Sequence, residues 1–194
     1  MRYVGEREVC YDPTDLGFPS ISACHAVVYV APAGLFGFHN LGNERATDWP
    51  GLTGAWGQLV TGHVSGGGTG SALYGVCYPV TKRGYTGIQK AQWLAELAAF
   101  AKGVGFTGPI YGYDLADSGI QGSAYVSFTH VQGKCVIQAR QWVHGEDTAG
   151  ANTAPNNHKS TRRGEPLFSI VAAPRVTVSI GLTATKTYYP EKLR

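Results

Sequence analysis

The chain has 194 residues, 43% hydrophobic and 15% charged, with 16 basic and 13 acidic side chains and a net charge of +3. That balance excludes a disordered chain and supplies apolar material for one compact domain, 1–194, without requiring a second. It also argues against nucleic acid and membrane as partners, because "HKSTRR" at 158–163 is the one local basic cluster and no apolar run approaches about 18 residues.

The start of the chain, "MRYVGEREVCYD", lacks the apolar core of roughly 7–15 residues that a secretory signal needs, so no classical export signal is expected. Next come "HAVVYV" and "LFGFHNL", two apolar runs joined by "APAG", which predicts a tight hairpin. "GQLVTGHV", "SALYGVCYPV", "PIYGYDL", "SAYVSFTHV", "KCVIQARQWV", "PLFSIVA" and "RVTVSIGLTA" read as further strands, being short, rich in β-branched and aromatic residues, and bounded by turn residues. "SAYVSFTH" and "KCVIQARQW" flank "VQG" as a second hairpin.

One helix stands out, "TGIQKAQWLAELAAFAKGVG" at 86–105, with Ile88, Ala91, Leu94 or Ala95, Ala98 and Ala101 on one face, Thr86 as its cap and Gly103 at its end. With many strands around it, the expectation is an α+β fold: a β-rich, sandwich-like core of mixed sheets with one clear helix over about 87–103. The polar stretch at 145–166 reads as a long loop.

Several chemical motifs fail on context. "SGGGTGS" at 65–71 is followed by neither Gly-Lys-Ser/Thr nor a helical pattern, so it reads as a loop tip and not a phosphate cradle. His144, Glu146, Asp147 and His158 span a loop rich in Gly, Asn and Pro that offers no frame for a metal. Asp114 and Asp117 in "YGYDLADSG" have the spacing of turn formers. Cys10, Cys24, Cys77 and Cys135 include no C-x-x-C pair and read as free thiols.

Cys24 and His39 make a stronger pair. An antiparallel ladder about "PAG" brings residues near 24 and 39 together at its open end. A thiol there could pass its proton to the imidazole, and small residues in "SISAC" would let a carbonyl approach the Cys24 backbone N–H. The ordinary alternative, Cys24 as a small core residue and His39 as a polar strand end, stays open on these grounds.

"ISACHAVVYVAPAGLFGFHNLG" resembles the catalytic hairpin of the cytotoxic necrotizing factor toxins, in which Leu-Ser-Gly-Cys leads into an apolar strand, a turn and a second strand ending in the catalytic His. The separation of 15 residues from Cys24 to His39 matches that pattern. The chemoreceptor glutamine deamidases of bacterial chemotaxis are similar more loosely. The resemblance covers about residues 20–43 and implies a hydrolase that deamidates glutamine in a protein substrate, such as a small GTPase or another host protein.

In that reading Cys24 is the nucleophile and His39 the general base and acid, with Ser22, His25 and Asn40 as oxyanion or supporting residues and neither metal nor cofactor. It further implies a monomeric bacterial toxin or effector, secreted without a classical signal peptide and acting in the cytoplasm of the target cell. Two departures stand out: Ala23 replaces the family's glycine, and Phe18 stands where the chemotaxis enzymes have threonine. A backbone carbonyl in the 16–20 segment is the expected partner that orients His39. Transglutamination or peptide cleavage could use the same pair. A β-sandwich binding module that uses the 145–166 loop as its contact surface is the non-catalytic alternative.

Overall fold

The computed structural model describes residues 2–41, 49–64, 70–85, 89–131, 134–142, 170–171, 186–188 and 190–194. In chain order the elements are β1 (Arg2–Tyr3), β2 (Val9–Asp12), β3 (Asp15–Ile21), β4 (His25–Ala31), β5 (Gly34–Asn40), α1 (Trp49–His63), β6 (Ala72–Cys77), α2 (Gln89–Gly103), β7 (Ile110–Asp114), a 3-10 turn (Leu115–Ser118), β8 (Ala124–Val131), β9 (Lys134–Gln141), β10 (Ile170–Val171), β11 (Lys186–Tyr188) and β12 (Glu191–Lys192). The fold is α+β and sheet-rich. Seven strands run in the order β10-β2-β5-β4-β6-β7-β12, and five in the order β1-β3-β8-β9-β11.

The unbroken apolar character of β4 and β5 has a structural cause, since strands covered on both faces have no polar side to alternate with. Every residue of both strands is buried. Ala26, Val28, Val30 and Leu35 pack toward the five-stranded sheet, meeting Leu16, Phe18, Val126 and Phe128. Val27, Tyr29, Phe36 and Phe38 pack toward the helices, meeting Trp56, Leu97 and Phe100. Each fully buried aliphatic or phenyl group of this kind contributes about 1.5–3 kcal/mol. The molecule is thus layered as sheet, sheet and helices, with β4 and β5 in the middle layer.

The expected hairpins form. Ala31 pairs with Gly34 across a two-residue turn, and the ladder runs to His25 opposite Asn40. Gly34 has φ 136°, and a Cβ there would lie 2.5 Å from Pro13 Cα, so the turn needs glycine. β8 and β9 pair antiparallel around residues 132–133. β6 and β7 pair in parallel, which requires the crossover that α2 supplies.

Two expectations are corrected. "GQLVTGHV" is helical, the second half of α1, so the described residues hold two α-helices where the sequence suggested one clear helix. Its valines and threonines look strand-forming, but Trp56, Leu59 and Val60 place one stripe on the sheet, and tertiary burial outweighs weak propensity. α2 lies in its expected range, and its inner face matches the expected one only in part: Ala101 is buried and Leu94 and Ala98 are half-buried, but the face centres on Trp93, Glu96, Leu97 and Phe100, and Ala91 and Ala95 are exposed. Large side chains have more surface to remove from water than alanines do, so they choose the face.

β3, "DLGFPSI", is a strand outside the runs named from the sequence, although Gly17 and Pro19 interrupt it. It accommodates them with a bulge. Between the Phe18–Val126 and Ile21–Ala124 pairs β3 carries one residue more than β8, and Ser20 there has φ 58°. Of the "PLFSIVA" run, Ile170–Val171 pairs with β2. The "RVTVSIGLTA" run, the helix cap Thr86 and the 145–166 loop lie outside the described residues. Among those described, no helix is long and apolar enough to cross a membrane.

Candidate active site

Register decides which side chains meet. Ala26 pairs with His39, and both lie on the side of the middle sheet that faces the five-stranded sheet. Cys24 precedes Ala26 by two and shares its face and its core cluster. Thiol and imidazole are therefore diagonal neighbours at the open end of the hairpin, a spacing of roughly 7–8 Å between backbone positions that side chains can span. Cys24 is 6% exposed and His39 fully buried, so Cys24 is the member of the pair nearer the surface.

His39 is held on several sides. Its Nδ1 donates to the Val4 carbonyl at 2.8 Å, its backbone N–H donates to Glu8 O and its carbonyl accepts from Arg7 N–H. A carbonyl can only accept, so Nδ1 carries the proton and the basic lone pair is on Nε2. Phe18 meets the ring edge-on with centroids 6.0 Å apart. The orienting oxygen thus comes from Val4, not from the 16–20 segment. β1 lies parallel beside β3, Val4 N–H donates to Gly17 O, and the Val4 carbonyl is left aimed across the seam between the sheets. Phe18, at the position of the chemotaxis threonine, touches the same imidazole but has no acceptor to offer.

The backbone leading to Cys24 accommodates Ala23 in place of glycine. The left-handed residue is Ser20, in the β3 bulge, and Ala23 has no positive φ to tolerate. Ser22 and Ala23 form a half-buried bend from which the chain enters β4. Glu6, exposed in the connection from β1 to β2, places Oε1 4.0 Å from Cys24 Sγ, where a carboxylate accepts a thiol proton and opposes a thiolate. Nothing in the local sequence pointed to Glu6 or Val4. Their approach exists only once β1 crosses behind the hairpin.

His25 and Asn40 are not beside the pair. Strand alternation turns both to the helix side, where His25 Nδ1 lies 3.1 Å from Glu96 Oε1 and Asn40 Nδ2 donates to the same oxygen at 2.6 Å. Trp93 Nε1 donates to His25 Nε2 at 3.1 Å, so this imidazole is neutral with its proton on Nδ1. Burial also pushes its pKa down, against the pull of Glu96. Glu96 is buried as well. Burial raises its pKa, but His25, Arg83 and the Asn40 hydrogen bond outweigh that and hold it at about 2.

Arg83 completes the network with a two-point contact to Glu96 at 2.7 and 2.9 Å. Its Nη1 donates to Ala23 O at 3.0 Å and Leu41 O at 3.4 Å. Gly75 on β6 makes room, since a Cβ there would stand 2.4 Å from His25 Nε2.

None of the four cysteines is in a disulfide. Burial pushes Cys77 well above its usual pKa and Cys135 up to about 12, leaving both poor nucleophiles. Asp114 caps the 3-10 turn by accepting from Ala116 N–H at 2.9 Å. With Asp117, Lys90 and Trp93 it lines a cavity of about 330 Å³ on the helix side, away from Cys24. Among the described residues no group of three or more His, Cys, Asp or Glu is placed to hold a metal ion. His144, Glu146, Asp147 and His158 lie outside the described residues. The chain matches no family model, and no curated protein matches it.

Proposed function

We propose that the chain is a cysteine-dependent protein glutamine deamidase. The observation that carries this reading is the shared placement of Cys24 and His39 at one end and on one face of the β4–β5 hairpin, with His39 Nδ1 committed to Val4 O. That tautomer leaves Nε2 as the base. His39 takes the thiol proton, and the Cys24 thiolate attacks the carboxamide carbon of a glutamine side chain. The Cys24 backbone N–H, in the bend that Ser22 and Ala23 keep small, holds the oxyanion. His39 returns its proton to the leaving nitrogen, ammonia departs, and a thioester remains. Water activated by His39 then hydrolyses the thioester to glutamate.

A thiol at the rim of a closed core suits a substrate presented as one side chain on a protein surface. The proposal extends to a bacterial effector or toxin that acts on a protein of the target cell, small GTPases being the first class to try. The test is incubation with candidate proteins followed by peptide mass analysis for Gln-to-Glu conversion, with and without a primary amine. Expected are conversion by the wild type, none by Cys24→Ser or His39→Ala, and no amine adduct. Adducts would make it a transglutaminase, and chain cleavage a protease. A biological effect that survives both substitutions would leave the pair without a catalytic role.

A further inference from the structure

The open end of the β4–β5 hairpin is where a catalytic pair most needs support, because the ladder that fixes the strands stops at His25 and Asn40. The neighbouring carbonyls, Ala23 O beside Cys24 and Leu41 O two residues past His39, are gathered by one side chain. Arg83 engages all three guanidinium nitrogens: Nε donates to Tyr85 Oη at 2.9 Å, Nη1 to Ala23 O and Leu41 O, and Nη2 to the Glu96 carboxylate. Glu96, on α2, is in turn fixed by His25 and Asn40, the last pair of the hairpin.

We propose that Arg83, held by Glu96, is a positioning residue that sets the Cys24-bearing bend and the His39-bearing strand end relative to each other from the opposite face of the sheet. This rests on the deamidase reading of the pair. A fully buried ion pair contributes little net stability compared with apolar packing, so its use here is geometric. The planar fork is what spans two carbonyls and a carboxylate. A lysine keeps the charge toward Glu96 but cannot reach the two carbonyls, Tyr85 and the carboxylate at once from a single nitrogen.

The experiment measures alkylation of Cys24 by iodoacetamide from acid to alkaline pH, site by site, in the wild type, Arg83→Lys, Glu96→Gln and Leu59→Ala. Leu59 is buried in α1, away from the network, so Leu59→Ala reports loss of stability alone. Each protein's melt is recorded, and either network variant that melts cooperatively decides the matter. Expected is labelling of Cys24 near neutral pH at least tenfold slower in Arg83→Lys or Glu96→Gln, with the profile moved toward that of an ordinary thiol, while Leu59→Ala keeps the wild-type rate and profile. A folded network variant with the wild-type profile overturns the proposal, as does equal slowing by Leu59→Ala. A wild-type Cys24 that labels no faster than Cys135, and no slower after His39→Ala, overturns the deamidase reading itself and this one with it.

Discussion

At the scale of single residues the site turns on which nitrogen of each imidazole carries its proton. His39 donates through Nδ1 to Val4 O, and His25 accepts through Nε2 from Trp93, so two histidines on adjacent strands have opposite duties. One keeps a base facing the thiol's side of the sheet. The other is locked into structure. Glu6 adds a carboxylate 4.0 Å from Sγ, close enough to repel an anionic reagent. Glu6→Gln is therefore expected to raise the labelling rate of Cys24 with iodoacetate several-fold more than with iodoacetamide. Added salt should narrow the iodoacetate difference between the wild type and the variant, since screening acts on exposed charge. Equal acceleration with both reagents would mean that Glu6 acts by covering the thiol and not by its charge.

At the scale of elements, the packing of α2 on β4 and β6 decides where the network sits. Gly75 on β6 permits it, because any Cβ there meets His25 Nε2 at 2.4 Å and Leu97 at 2.7 Å. Gly75→Ala is expected to destabilise the protein by about 1–3 kcal/mol, as overpacking does, seen as a lower urea midpoint with an unchanged slope. The range of α2 is legible from its composition, and its inner face only in part, because alanines satisfy helical spacing as well as Trp93, Leu97 and Phe100 do: Ala101 is buried, but Ala91 and Ala95 face outward. α1 is hidden by Val60, its two threonines and its glycines, and β3 is interrupted by its proline. In each case burial against a distant element overrode a local preference that was weak to begin with.

For the whole molecule, the buried network sets the acid limit of stability. His25 is held neutral with a depressed pKa, so the unfolded chain binds its proton more readily and stability falls as pH drops below about 6.5. Glu96, held at about 2 against a usual 4.5, contributes stability that is complete above about 4.5 and is lost as pH falls toward 2. Two successive losses are expected in the unfolding free energy measured by urea titration from pH 7 downward. His25→Gln should flatten the first, and a wild-type curve level from pH 7 to 5 would contradict the neutral assignment.

Local sequence is enough for the α+β class, the two hairpins, the range of α2 and the placing of Cys24 and His39 at one end of a ladder. These follow from local turn chemistry and from a strand period of two, which any stretch of chain carries within itself. Only the tertiary structure decided that Val4 orients His39, that Glu6 stands over the thiol, and that His25 and Asn40 belong to Glu96 and Arg83 on the far side of the sheet. Those contacts join residues 13 to 71 positions apart, or depend on which face of a strand is turned to which layer, and no local pattern of residues encodes either.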